Sequence, residues 1–600
     1  MRFFRRRNTP APNLDQQLVF QLSKSRIPSP RQLKYVSRFL KPGERWSLYA
    51  CLGLMLISLG FMGTKLYRDH VELVPRQGGR YTEGAIGNPQ YINPLYSSLN
   101  DADADLERLI FSRLFVSDGA GQLRNDLADS YELSPDQKTY TIHLKPARFS
   151  SGDPLTADDV VFTFNLIENP EYKSPLRDRF SGVTIQKIDD ATVAFNLKEQ
   201  YGRFPQFLDF GILPAGLWEG VAPETIPLAE LNLKPVGSGP YRLESLVKSK
   251  TGTIRSYVLE RNPDYFGASP YLDEIVFKYF PSAEEMIAAL NNGQLNGITV
   301  LPAEGNDSII AKKSLEYHRL SRPELTAIFF NVKSKGVIGD VNVRRALSVI
   351  DRDAVNDKTL GGQGVTTSSI FLPRQPALGE LPLATVEQTR AELEKLGWNK
   401  RTVSEADIAA ATASPSPETA NFARLGAGEW YFKGKDALIV SLTAPQSLKP
   451  AAEAVAEAWK KIGAKAELQI LPDNTVRDET IAKKSYDVLV YTEALNDDDP
   501  FPYWHSSSLV NLSSYTRGDV DTWLEEARLN SDSILQSDRY NKFNAALSQD
   551  VPVVPLYWQS YLYPQTKKLK GFMPSFLRQP VDRLYSVGNW YLKTERHFKP

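Results

Sequence analysis

The chain has 600 residues, 42% hydrophobic and 24% charged, a composition that excludes a disordered polymer and leaves room for several domains. Its formal charge is zero, yet residues 1–45 hold eleven Lys and Arg against only Asp15 and Glu44. The rest is therefore acidic, which argues against nucleic acid as a partner, and the lone cysteine, Cys51, leaves no disulfide or cysteine-ligated metal for the residues beyond it.

After the basic segment comes "WSLYACLGLMLISLGFMG", residues 46–63, eighteen residues without a charge, enough to cross most of a bilayer's hydrocarbon core at 1.5 Å per residue. The reading is a single transmembrane anchor over 46–65. Arg2, Arg5, Arg6, Arg7, Lys34, Arg38, Lys41 and Arg45 place its N-terminal side in the cytoplasm, and the remainder outside. A cleaved signal peptide is the competing reading; against it stand the long basic region and the lack of an Ala-x-Ala site after the apolar run. Residues 66–80 read as a polar stalk.

From Tyr81 the pattern is mixed α/β. "KTYTIHLK" (138–145) and "ATVAFNLK" (191–198) alternate like half-buried strands. In "RFSSGDPLTADDVVFTF" (148–164) a Gly-Asp-Pro turn precedes a helix start where Thr156 can cap and Asp158 and Asp159 suit the N-terminus. Helical spacing marks 282–295, 341–355, 386–398 and 448–463. A strand at 436–444, the helix after it, "KAELQILP" and "YDVLVYTEAL" give the strand-helix-strand order of an α/β lobe. Residues 401–427, rich in Ala, Ser, Thr and Pro, read as a surface excursion.

Enzyme signatures are missing from this text. The five histidines are scattered, with no His-Glu-x-x-His pair. "VGSGPY" (236–241) is not a Gly-x-Ser-x-Gly elbow, and "GGQG" (361–364) lacks dinucleotide or P-loop spacing. The expectation is a protein without catalytic residues, resident metal or cofactor. Asp497, Asp498 and Asp499 come after a strand-like run, at the end where α/β folds place ligand sites; a solvated loop or a calcium site is the alternative.

Read in order, these pieces resemble the extracellular solute-binding proteins of ABC importers, in the family (family 5) that includes oligopeptide-, dipeptide- and nickel-binding members. The likeness rests on Ile92-Asn93-Pro94, "LADSYELSPDQKTYTIHLK" (127–145), "FSSGDPLTADDVVFTF" (149–164), "VGSGPYRL" (236–243), "LERNPDYF" (259–266), "FFNVKSKGVIGDVNVRRALSVIDRD" (329–353), "LEKLGW" (393–398) and "DDPFPYW" (498–504). It covers nearly all of residues 81–600.

The resemblance implies a periplasmic-binding-protein-like two-lobed clamp with an extra subdomain: lobe I about 81–96, 216–320 and 556–600, the subdomain about 97–215, lobe II about 321–555. It implies short peptides or similar extended solutes as ligands, an ABC permease as partner, and no catalysis. Peptide-binding relatives place an acid three residues before the Asp-Pro or Glu-Pro of the motif. Here Asn496 stands there, with Asp497 and Asp498 next; either Asp497 takes the ligand amine in a slipped register, or the ligand is not a free-amino peptide. By positional analogy Asn88, Gln90 and the edge Tyr491, Thr492, Glu493 and Ala494 are further ligand contacts, and Phe162 faces either ligand or core. Asp340, Arg344, Arg345 and Asp351 read as helix caps and surface ion pairs. A metal-chelate receptor and a ligand-sensing ectodomain without transport are the alternatives.

Overall fold

The apolar run at 46–63 lies inside one continuous helix, Pro42–His70, and the side chains of that run are exposed. The computed structural model describes residues 41–117, 123–302, 313–372, 385–414, 416, 419–495, 499–530, 532–574 and 576–598, in two units: residues up to Pro75 together with those from Thr594, and Arg76–Lys593.

The polar stalk expected over 66–80 is replaced by ordered structure. The helix runs to His70, and the strand Val71–Arg76 comes at once, pairing with the C-terminal strand Lys593–Phe598. Two valines and a leucine in "VELVPR" supply the β-propensity that the charge count hid.

In the second unit the described residues form a twelve-stranded mixed sheet. At its centre lie its two longest strands, Leu315–Phe330 and Val553–Thr566, paired antiparallel along most of their length. On one side Val553–Thr566 leads through Gly297–Ile298 to Arg80–Ile86, Glu274–Phe280 and the hairpin Tyr241–Lys248 and Ile254–Arg261. On the other, Leu315–Phe330 leads to Val488–Ala494, Ile439–Pro445 and Lys465–Leu471. The central ladder slips between Ser321 and Leu325. Pro323 sits there without an N–H to give, which is where strands tolerate proline.

A separate antiparallel sheet of Ala128–Leu133, Thr139–Leu144, Thr192–Leu197 and Val183–Asp189 includes both alternating segments read from the sequence. The helix Ala157–Glu168 packs on it through Phe164, whose ring lies 5.3 Å from Phe195 and 5.2 Å from Phe180. Its start is the expected one: Thr156 N–H donates to Asp159 Oδ2 at 2.8 Å in a capping box. The other Asp159 oxygen accepts from Ala215 N, so the cap also fixes the chain at Ala215. The two motif stretches touch, Ser150 N–H donating to Gly237 O at 2.8 Å. Gly237 is required there, since a Cβ would meet Ile110 O at 2.1 Å.

Hydrophobic side chains gather in three large clusters. One joins Tyr81 to Val300 with Leu320 and residues from Tyr563 to Trp590. Two more, around Trp459 and around Phe543, flank the half of the sheet that contains Val488–Ala494. In the first, the wholly buried Arg583 bonds Glu83 Oε1 at 2.7 Å and both oxygens of Asp105 at 2.7 and 2.6 Å, joining the first sheet strand, the helix Asp101–Ile110 and the C-terminal region.

Three further expectations are corrected. Residues 341–355 form two helices, Val341–Leu347 and Arg352–Leu360, because Asp351 is extended and caps the second by accepting from Ala354 N at 3.0 Å. Asp340 caps the first, as read, but Arg344 is no surface ion pair: it is buried, and its guanidinium donates to the carbonyls of Ile338, Gly339, Asp550 and Val551. Residues 401–427 are more than an excursion. Their described part contributes the end of a strand, Asn399–Val403, and the helices Glu405–Ala413 and Phe422–Leu425, with Val403 and Leu425 joining Trp430, Phe432 and Ala437 in a small core.

Candidate functional site

Two cavities lie between the first hydrophobic cluster's side of the second unit and the side carrying Val488–Ala494, and a third is lined from the latter side alone. The largest, about 750 Å³, is lined from one side by Arg108, Arg179 and Phe207 and from the other by Ala494 and Leu495, with Arg322, Pro323 and Glu324 at the slip in the central strand. A second, about 730 Å³, shares Arg179 and Phe207 with it, and a third, about 340 Å³, shares Glu324. The three thus adjoin through shared lining residues and together make up the cleft.

The strand Val488–Ala494 presents one edge to this cleft for a local reason. Its whole length pairs with Leu315–Phe330, but its other neighbour, Ile439–Pro445, reaches only Val488 and Leu489. Among the described strands nothing pairs with that edge beyond Leu489, the stretch in which Tyr491 and Thr492 line the 340 Å³ cavity and Ala494 the 750 Å³ one. Thr492 is held by Thr326, oxygen to oxygen at 2.8 Å, and Tyr503 Oη donates to Ala494 O at 3.3 Å.

Glu493 turns the opposite way from Thr492, as alternation demands. It is buried, and loss of water pushes its carboxyl up to about 8, with Lys484 pulling back in part. Burial in turn lowers the Lys484 ammonium and raises the Tyr491 phenol. Asp499 is also buried; it accepts from Phe501 N at 3.0 Å and faces Arg528 Nε at 3.4 Å.

Of the other sequence-derived contacts, Asn496, Asp497 and Asp498 lie outside the described residues. Asn88, Gln90 and Phe162 are not among the residues lining the three cavities. Asn88 Oδ1 accepts from Ile254 N and its carbonyl from Asn100, which pins a loop to a hairpin. Gln90 N donates to Asp103 while its side chain is exposed. Phe162 packs half-buried against the first cluster.

Sequence reasoning missed the charged lining. Arg179 faces Asp209 at 3.8 Å, Arg108 faces Asp582 at 3.5 Å, and Arg322 pairs with Glu324 while its guanidinium lies 4.5 Å over Tyr561. A proline flanked by Arg and Glu inside a strand-like run, "SRPEL", was the available signal. Among the described residues no group of three His, Cys, Asp or Glu is arranged to hold a metal ion.

The family model for bacterial extracellular solute-binding proteins, family 5 (middle) matches residues 122–511. The oligopeptide-binding protein AppA of Bacillus subtilis is 27% identical over 534 residues, covering 86% of this chain and 92% of that protein. Its crystal structure in complex with a nonapeptide superposes with a TM-score of 0.53 at 25% identity, covering 87% of this chain and all of that one. The ABC transporter substrate-binding protein CtaP of Listeria monocytogenes shares the fold at a TM-score of 0.63 and 24% identity, covering 86% of this chain and all of that one.

Proposed function

The chain belongs to the bacterial extracellular solute-binding proteins of family 5, and from that premise we propose that it captures short peptides or similarly extended solutes by hinge closure and delivers them to an ABC permease. The observation that carries this reading is the open strand edge beside a cleft of linked cavities. An extended peptide excluded from water must pair its N–H and C=O groups, each unpaired one costing about 1–3 kcal/mol. A strand edge satisfies them without reading side chains. In AppA the bound molecule is a nonapeptide, which accords with a cleft of this extent.

The lobe and subdomain boundaries are those of the resemblance; the buried clusters set the lobe I side, with the subdomain in the same cluster, apart from most of the lobe II side. The two central strands cross between the lobes and serve as the hinge. Tyr491, Thr492 and Ala494 offer backbone contacts, and Asp497 supplies the acid for a ligand amine. Glu493 acts through the strand that carries that edge, while Asn88, Gln90 and Phe162 belong to the scaffold on the first cluster's side. Nothing in the proposed cycle breaks a bond.

The helix Pro42–His70, about 44 Å long at 1.5 Å per residue, matches a bilayer with its headgroups. We read it as an uncleaved anchor, N-terminus in the cytoplasm, that lets the receptor meet its permease by lateral diffusion. Full-length protein purified in mild detergent and titrated with a pool of random peptides of two to ten residues tests both parts. The expected result is saturable binding, peptides recovered uncut, and an intact N-terminus after membrane extraction. Absence of binding across the pool, or hydrolysis, overturns the receptor reading; a mature N-terminus beyond residue 63 overturns the anchor.

A further inference from the structure

Tyr201, Phe207, Phe501 and Arg528 line the 730 Å³ cavity and belong to one continuous stack of rings and a cation. The His505 imidazole lies parallel to the Phe501 ring at 4.3 Å. The Arg528 guanidinium lies 4.6 Å from that same ring and 5.8 Å from Tyr201, and Tyr201 is itself stacked on Phe207 at 5.3 Å. Tyr201 and Phe207 pack against the first hydrophobic cluster, Phe501 against the third, so the stack crosses the cleft.

We propose that Arg528 is a cross-cleft latch, a positioning residue that clamps the Asp499-Pro500-Phe501 turn on its own side and engages Tyr201 on the other only when the lobes are closed. The proposal rests on the hinge-closure reading above. Asp499 is a buried carboxylate and requires a counter-charge, which Arg528 Nε supplies at 3.4 Å. A guanidinium, unlike the ammonium of lysine, can meet a carboxylate with its edge while its planar faces meet aromatic rings. Phe501 is steadied by His505, itself tied to Ser507 at 2.7 Å and Glu525 at 3.2 Å.

The contacts of Arg528 with Asp499 and Phe501 lie on one side of the cleft and persist when the clamp opens. The contact with Tyr201 does not, so its free energy counts toward the closed state alone. An exposed cation–π contact corresponds to about a two- to fivefold change in the closed-to-open ratio. Arg528 thereby couples the Asp499-Pro500-Phe501 turn to the position of the opposite lobe.

The test uses full-length, ligand-free protein in detergent with Cys51→Ser, and spin labels on Ser151→Cys and Ser537→Cys, both exposed positions on opposite sides. Double electron–electron resonance reads the short-to-long distance ratio. Tyr201→Ala is expected to lower it about two- to fivefold, Tyr201→Phe to preserve it, and Tyr201→Ala to have no further effect once Arg528→Gln is present. Arg528→Lys should restore part of what Arg528→Gln loses. Two populations whose ratio ignores Tyr201→Ala, in protein melting like the parent, overturn the latch and leave the clamp standing. A single distance in every variant overturns the clamp and the latch with it.

Discussion

Glu493 offers a sharp test of the electrostatics beside the open edge. Its ordinary value is 4.5, and burial pushes it up to about 8 in the folded protein. Between those values the unfolded chain has lost the proton and the folded chain keeps it. The folded state therefore binds more protons, and stability falls as pH rises from about 4.5 to about 8 and levels beyond. At about 1.4 kcal/mol per pH unit across that window, the loss amounts to about 3–5 kcal/mol at pH 8. Glu493→Gln keeps the shape without the ionisation. Relative to the parent it should be near neutral at pH 4.5 and stabilising by that amount at pH 8. For a folded body of roughly 500 residues, an unfolding entropy of about 2.1 cal/mol/K per residue converts this to about 3–5 °C in Tm. Scanning calorimetry of parent and variant at pH 4.5, 6 and 8 measures the gap; one that stays constant with pH refutes the reasoning.

Removal of the Arg583 guanidinium strands two buried carboxylates, so Arg583→Met should cost about 3–5 kcal/mol in urea denaturation, with the deficit shrinking as pH falls and Glu83, held above its ordinary range by burial, takes up a proton. Gly237→Ala drives a Cβ into Ile110 O and should cost more than about 2 kcal/mol by the same assay, while Gly216→Ala, with open space around it, should be silent. Thr156→Ala should lower stability by about 0.5–2 kcal/mol through loss of the cap.

Periodicity read the α/β layout well wherever one face was buried and the other wet. The strands ending at Leu144 and Leu197 and the helix opened by Thr156 are cases where local chemistry and tertiary burial agree. It failed where a long-range partner decides the outcome. "VELVPR" becomes a strand because residues more than 500 positions away pair with it, and no local window holds that information. The run 341–355 keeps helical spacing through Ile350, and only the capping chemistry of Asp351 divides it. For the site, the edge at Tyr491–Thr492 and Ala494 was legible as a strand end. The arginines of the cleft were not, since surface and cavity arginines look alike in sequence. Arg344, taken for a surface group, is sequestered by four carbonyls that lie in parts of the fold no spacing rule brings together.

The marriage of the first and last strands sets a timetable for biogenesis. Glu83 must wait for Arg583, and Val71–Arg76 for Lys593–Phe598, before either is complete. At ribosomal speeds of about 5–20 residues per second, the roughly 500 intervening residues take about 25–100 s to emerge. For that interval the nascent N-terminal half exposes an acid meant for the interior and unpaired strand edges. Removal of the final twenty residues takes away Arg583 and the strand Lys593–Phe598 together, and should leave a product without the parent's cooperative transition in calorimetry.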